Sequence, residues 1–275
     1  MEVGIVAQRD NERAASLART LGARLAESGV AVRFDATTAA VLGRDDAGRP
    51  VDTFDGCDLV VSIGGDGTFL FAARGANGTP VLGVNLGEVG FLNAVGPDEA
   101  EAAVVRAVDA YRREELRVQE VPRIAAHTDE WRGEPAMNEV VVQGPRRGRG
   151  GGGHVEVRID GSTYDAGAAD GVLVATPTGS SAYNLSERGP LVHPGVGGLV
   201  VNEMAARDGM PPLVVPPDRD VTVTLTDVEY GVVVGDGRTR HEIDAGTTVH
   251  VGLADQPVRL AGPAADFFEA LGKLD

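Results

Sequence analysis

Cysteine and lysine are almost missing from this chain: Cys57 and Lys273 each stand alone among 275 residues. A single thiol excludes an intrachain disulfide and any cysteine-based metal cluster, which suits a reducing cytosol. Long apolar runs are missing too. Nowhere do about 18 apolar residues follow one another, and the opening Met1-Glu2-Val3-Gly4-Ile5-Val6 reads as a strand, without the basic start and apolar stretch of a signal peptide. A cytoplasmic protein with no membrane partner is the expectation. Positive charge is scarce as well: 25 Lys and Arg stand against 41 Asp and Glu, a net charge of −16. That balance argues against nucleic acid as a partner, because affinity for a phosphate backbone needs a basic face. The one basic cluster, Arg146, Arg147 and Arg149, sits in a glycine-rich loop.

The acids are spread along the chain instead of forming a tail, and nearly every positive charge is arginine. This is a halophile's balance. At ~1 M salt the Debye length is only about 3 Å and a crowded acidic surface hardly repels itself, whereas at ~0.01 M it reaches about 30 Å. The alternative reading of the acidic surface is a docking face for a basic partner.

What is present suffices for a globular fold. Hydrophobic residues at 43% can build a real core, and the length suits two modest domains at roughly 100–200 residues each. The first part alternates strand and helix signals. Val3 to Ala7 is an apolar strand, and Asn11 to Ser28 then puts Ala14, Ala18, Leu21 and Leu25 at helical spacing, with Asn11 or Asp10 as cap and Gly29 as terminator. Val30, Val32 and Phe34 alternate; Leu59 to Ile63 and Val81 to Val84 are wholly apolar; Pro97 to Tyr111 returns to helical spacing. Alternation of this kind predicts an α/β fold with a doubly wound parallel sheet, whose ligands gather at the carboxyl ends of the strands. After Arg117 short β-type runs dominate: Met137 to Val142, His154 to Ile159, Gly171 to Ala175, Val221 to Leu225, Val232 to Val234 and Thr248 to Val251. They predict a β-rich, sandwich-like second domain, mostly antiparallel, with a hairpin tip at Gly150 to Gly153 and an irregular link at Pro211, Pro212, Pro216 and Pro217. Ala264 to Leu271 reads as a last short helix. The expected division is 1–115 with 262–275 for the α/β domain and 116–261 for the β-rich one.

The strongest chemical signal is Gly64-Gly65-Asp66-Gly67-Thr68, set between the apolar strand Leu59 to Ile63 and a helix-compatible run from Phe69. Glycines let backbone N–H groups approach phosphate oxygens, and the helix start adds partial positive charge. A triphosphate can rest on such a loop without a lysine. Asp66 is the carboxylate placed to meet an acceptor hydroxyl, as general base or as orienter. The same residues also suit a plain strand-to-helix turn. Asn138 and Glu139 offer a donor and acceptors suited to an adenine edge and ribose hydroxyls, or equally a capped turn. In Thr176 to Tyr183, Pro177 and Gly179 break a strand, after which Ser180 or Ser181 can cap a helix running to Glu187. Tyr183 gives a flat face to a base, or fills a core.

The pentapeptide at 64–68 resembles a motif shared by NAD kinases, diacylglycerol and sphingosine lipid kinases and phosphofructokinases. Four further stretches are similar to NAD kinases in order and spacing: Gly83-Val84-Asn85-Leu86-Gly87-Glu88-Val89-Gly90-Phe91-Leu92, Met137-Asn138-Glu139-Val140, the long run Asp170-Gly171-Val172-Leu173-Val174-Ala175-Thr176-Pro177-Thr178-Gly179-Ser180-Ser181-Ala182-Tyr183, and Asp236-Gly237 with the closing Phe267-Phe268-Glu269-Ala270-Leu271. Together with the acidic balance, the resemblance implies an NAD kinase of a halophilic archaeon, passing the γ-phosphate of ATP or polyphosphate to the adenosine-ribose 2′-hydroxyl of NAD.

It implies Asp66 as catalytic base, Gly64, Gly65, Gly67 and Thr68 around the phosphates, and Asp66, Gly67, Asn138, Glu139, Asp170, Thr178, Ser181, Ala182, Tyr183, Asn184, Leu185, Ser186 and Arg238 around NAD. It further implies a divalent cation, Mg²⁺, carried by the ATP phosphates rather than a protein cage, and a homodimer or homotetramer. The chain departs from the family pattern at Ser181, where a threonine is usual, at Glu187-Arg188, at Ala168, where a basic residue is usual, and at Arg238, where the family tends to have glutamine. Glu203 to Pro212 lacks the family's histidine. A non-catalytic NAD or NADP sensor is the alternative that this stretch suggests. A lipid kinase is opposed by the charge of −16, which repels an anionic bilayer.

Overall fold

The computed structural model describes every residue except 88–89, 147, 149–151, 207 and 273–275. Glu88, Val89, Arg147, Arg149, Gly150, Gly151 and Lys273, named above, therefore lie outside the described residues. The chain divides into two compact units, Met1–Val121 with Gln256–Asp275, and Pro122–Asp255.

The first unit begins with β1 (Glu2–Ala7) and α1 (Glu12–Glu27). Asn11 caps α1, its side chain accepting from the N–H groups of Arg13 and Ala14, and the stripe Ala14, Ala18, Leu21 and Leu25 is buried on the sheet. Such a cap contributes about 0.5–2 kcal/mol. There follow β2 (Ala31–Asp35), α2 (Ala36–Val41), the two-residue β3 (Gly48–Arg49), β4 (Leu59–Ile63), α3 (Asp66–Ala76), β5 (Val81–Val84), α4 (Ala100–Arg112) and β6 (Val118–Val121).

The second unit is almost all strand: β7 (Ile124–His127), β8 (Glu139–Gln143), β9 (Gly153–Ile159), β10 (Ser162–Ala169), β11 (Gly171–Ala175), the one-turn α5 (Tyr183–Ser186), β12 (Leu199–Met204), β13 (Leu213–Val215), β14 (Val221–Thr226), β15 (Tyr230–Gly235), β16 (Thr239–Asp244) and β17 (Thr248–Leu253). Its described strands form two antiparallel sheets, β10-β9-β14-β17-β7 and β13-β12-β11-β8-β15-β16. Alternate residues of both, among them Val155, Val157, Val221 and Val223 from one and Val140, Val142, Val172 and Val174 from the other, share one core. That is a sandwich, produced by the period-two burial of facing strands. The six-stranded sheet is also covered on its second face, where Val141, Leu173, Ala175 and Val200 pack with Val192 and Tyr183. Strands buried on both faces read as unbroken apolar runs.

The chain then returns to the first unit as β18 (Val258–Ala261) and α6 (Phe267–Leu271). β18 pairs parallel with β5 and antiparallel with β6, completing the order β3-β2-β1-β4-β5-β18-β6. The division therefore falls after Val121 and before Gln256 rather than at 115/116 and 261/262, because two four-residue strands find their partners in the first sheet. Of the expected hairpin tip at 150–153, Gly150 and Gly151 lie outside the described residues, and the strands on either side, β8 and β9, belong to different sheets rather than pairing with each other. In α6 the buried residue is Ala270, while Phe268 is 72% exposed.

Candidate active site

In the first unit, chain order reverses around β1, which pairs with β2 on one side and β4 on the other. This switch point opens a crevice at the carboxyl ends of the strands. Gly64 to Thr68 lies there. The Gly64 N–H donates to Val84 O at 2.9 Å, and a Cβ on Gly64 would sit 2.7 Å from Thr68 Oγ1 and 2.8 Å from Gln8 Cβ, so only glycine fits the turn. Gly65 is the N-cap of α3 and no side chain caps that helix, while Gly65 and Gly67 are exposed. An anion is the natural complement of such a helix start.

Asp66, half-buried, stands at the first position of α3. Its Oδ1 accepts from the Leu92 N–H at 3.4 Å and from Asn93 Nδ2 at 3.3 Å. The donors come from a loop that leaves β5 and returns to it, with Asn85 N–H on Val95 O at 2.8 Å and Asn85 Oδ1 accepting from the Gly87 N–H. A Cβ on Gly90 would meet Asp66 Oδ1 at 2.5 Å, so glycine lets this loop pass the carboxylate. Among the described residues no group of three or more His, Cys, Asp or Glu is arranged to hold a metal ion.

In the second unit, Asp236 organises the start of β8. Its carboxylate accepts from the N–H groups of Met137 (2.9 Å), Asn138 (2.8 Å) and Glu139 (3.3 Å), and its own N–H donates to Glu139 O. Burial pulls the Arg123 guanidinium below the ordinary arginine value, and the nearby negative charge of Asp236 pushes it back. Thr176 ties the next segment to the same turn: its Oγ1 donates to Met137 O at 2.6 Å and its N–H to Asn138 O at 2.9 Å. Gly179 packs so closely on Asn138 that a Cβ would sit 2.0 Å from Asn138 O. The Tyr183 N–H donates to Glu139, whose carboxyl is 6% exposed and is pushed up to about 7, first by burial and then by Asp236.

Asn138, Glu139, Thr178, Ser181, Ala182 and Tyr183 are thus brought together by backbone contacts. Arg238, exposed, follows in the turn that carries Asp236, its N–H on Gly235 O. Asn184 is wholly buried, with Nδ2 donating to Ser180 O and Pro190 O and Oδ1 accepting from Asn202, so its amide holds the segment together. Leu185 and Ser186 complete α5. The expected serine cap of that helix is absent: Ser180 Oγ donates to Pro177 O and accepts from the Val192 N–H, Ser181 Oγ donates to Thr178 O, and Ala182 is the N-cap. Short local acceptors outcompete a cap two residues away. Asp170 is not part of this cluster. It precedes β11 at the end where Gly171 faces Gln143, whereas Glu139 faces Ala175 at the other end, roughly 15 Å along the strand. Its Oδ2 accepts from the Gly148 N–H at 2.7 Å.

Two family models match: the ATP-NAD kinase N-terminal domain over residues 3–110 and the ATP-NAD kinase C-terminal domain over residues 137–262. The chain belongs to the NAD kinase family. Among full-length relatives, the NAD kinase of Halorubrum lacusprofundi is 59% identical over 274 residues and that of Haloarcula marismortui 58% over 282, each match covering all of both chains. The solved NAD kinase of Archaeoglobus fulgidus in complex with ATP shares the fold at a TM-score of 0.79 and 24% identity, covering all of this chain and 97% of that one. The yeast NADH kinase complexed with NADH does so at 0.85 and 21%, covering 87% of that chain.

Within the NAD kinase frame, three contributors escaped the sequence reading. Arg123 and Asn93 sit in no motif that marks them. Thr176 was visible as part of a strand break and of the long run at 170–183, but not as the residue that ties that run to Met137. Asp236-Gly237 carried a signal, as a paired segment of the family pattern, but not the three amide bonds that explain it.

Proposed function

We propose that the chain transfers the terminal phosphoryl group of ATP, or of polyphosphate, to the 2′-hydroxyl of the adenosine ribose of NAD, giving NADP. In this reading Gly64, Gly65, Gly67 and Thr68 cradle the donor phosphates at the uncapped start of α3. Asn138, Glu139, Thr178, Ser181, Ala182, Tyr183, Leu185, Ser186 and Arg238 recognise the dinucleotide, and the buried Asn184 holds their segment in shape. Asp66 takes the proton of the 2′-hydroxyl while the bond from O2′ to phosphorus forms and the bond from phosphorus to the bridging oxygen breaks, its electrons leaving with ADP. A divalent cation, Mg²⁺ in this reading, would supply charge neutralisation on the phosphates. The observation that carries the assignment is the Asp66 carboxylate, half-buried at the switch point and held through one oxygen by Leu92 and Asn93. We further propose a cytoplasmic homodimer or homotetramer; no helix among the described residues is long and apolar enough to cross a membrane.

The test is NADP formation from NAD, ATP and Mg²⁺ in molar salt by the wild type and by Asp66→Asn. General-base catalysis is worth about 10²- to 10⁴-fold, so the variant should lose turnover by that factor while still binding NAD. A smaller loss would reduce Asp66 to an orienting role. Binding of NAD by the wild type, with no NADP formed from ATP or polyphosphate, would make the chain a sensor instead.

A further inference from the structure

Asn93 presents an arrangement that packing alone does not explain. Its side chain is 0% exposed, yet its Oδ1 has no hydrogen-bond partner among the described residues. A buried acceptor left bare costs stability, and an apolar side chain at the same place would avoid that cost. The amide is also expensive to seat. A Cβ on Gly83 would come within 2.1 Å of Asn93 Oδ1, so the strand beneath it must carry glycine at that register. Two positions are thus committed to keeping one polar side chain in a dry place.

The other end of the amide shows what is kept. Asn93 Nδ2 donates to Asp66 Oδ1 at 3.3 Å, joined there by the Leu92 N–H at 3.4 Å. A carboxylate accepts and cannot donate, so the amide must turn its NH₂ toward Asp66 and its oxygen away. Both donors meet Oδ1, and neither meets Oδ2. From this geometry we infer that Asn93 is a positioning residue: it pins one oxygen of Asp66 so that the other is presented to the acceptor hydroxyl. The inference rests on the reading of Asp66 as proton acceptor and adds how that acceptor is aimed. Gly90 supports the same arrangement from the other side, since any larger residue would displace the pinned oxygen.

The experiment compares wild type, Asp66→Asn, Asn93→Ala and Asn93→Asp for kcat, for KM with NAD and with ATP, and for the pH dependence of kcat/KM, all in molar salt with folding checked by circular dichroism. Misplacing a reacting group by about 1 Å can cost up to about 10²-fold in rate. Asn93→Ala should lower kcat by roughly ten- to a hundredfold and leave both KM values within about twofold. Asn93→Asp keeps the shape, so it remains informative if the alanine variant fails to fold. It replaces a donor by a like charge, and the acid limb of its pH profile should move to higher pH. Folded Asn93 variants with wild-type kcat and an unmoved profile, beside an inactive Asp66→Asn, would overturn the positioning role and leave the Asp66 reading intact. Turnover retained by Asp66→Asn would overturn both.

Discussion

At the scale of single residues, Glu139 links the proposed dinucleotide surface to the stability of the fold. Desolvation raises its proton affinity to about 7 from an ordinary 4.5, and the neighbouring Asp236 charge adds to this. A raised carboxyl binds more protons folded than unfolded between those two values, so its contribution to stability is complete below about 4.5 and disappears as pH climbs through about 7. Glu203 moves in the same direction, pushed up to about 7 by burial and by Asp165, so the wild-type curve alone cannot isolate Glu139. Glu139→Gln can. Chemical denaturation at pH 5.5 and pH 8 should show the wild type losing stability relative to this variant as pH rises, and parallel behaviour of the two would mean that Glu139 is not the group that titrates.

At the scale of elements, the segment from Thr176 to Val192 is the piece of the second unit to which the proposed function gives most of the dinucleotide contacts. It has little regular structure, so its shape comes from side chains: Thr176 on Met137 O, Ser180 on Pro177 O and Val192, Asn184 on Ser180 O and Pro190 O. Thr176→Val keeps the volume and removes the hydroxyl, leaving Met137 O and the Gly179 N–H without their partner. A buried group left unpaired costs about 1–3 kcal/mol. The variant should be destabilised by that amount and should show a raised KM for NAD with kcat changed far less; a wild-type KM would show that the turn holds its shape without this bond.

The same segment marks where sequence reading stopped. Apolar runs such as Leu59 to Ile63 and the alternation of Val221 to Leu225 announce strands because burial on two faces or one leaves a period in the residues. β10, with the sequence Ser-Thr-Tyr-Asp-Ala-Gly-Ala-Ala, and β16, Thr-Arg-His-Glu-Ile-Asp, are edge strands of their sheets and carry no such period. β6 and β18 are four residues each and exist only because they pair across a gap that spans the whole second unit. The glycine loop and Asp66 were legible, since a turn after an apolar strand is local. The bonds of Asp236 to Met137, 99 residues away, and of Asn93 to Asp66, 27 away, were not, because no local pattern encodes a contact at that separation.

At the scale of the whole molecule, the net charge of −16 decides how the fold responds to its solvent. Surface ion pairs do little to offset it: Arg24–Glu101, Arg113–Glu115 and Arg219–Asp160 join well-exposed side chains, and such pairs are worth only about 0–1 kcal/mol each. Salt weakens those attractions and the overall repulsion together, but the excess of acids makes relief of repulsion the larger effect. Relatives at 59% and 58% identity come from Halorubrum and Haloarcula, in keeping with that balance. The melting temperature should therefore rise with KCl, and the shape of the rise identifies its cause. Screening is nearly complete once the Debye length falls from about 10 Å at ~0.1 M to about 3 Å at ~1 M, so a gain from screening must come early and then flatten. A gain from exclusion of salt at the apolar surface would instead keep growing with concentration and would be stronger in sulfate than in chloride. An early plateau, similar in both salts when compared at equal ionic strength, is the expected result; a melting temperature that ignored salt between low and molar concentrations would mean that the acidic surface serves something other than a salt-adapted fold.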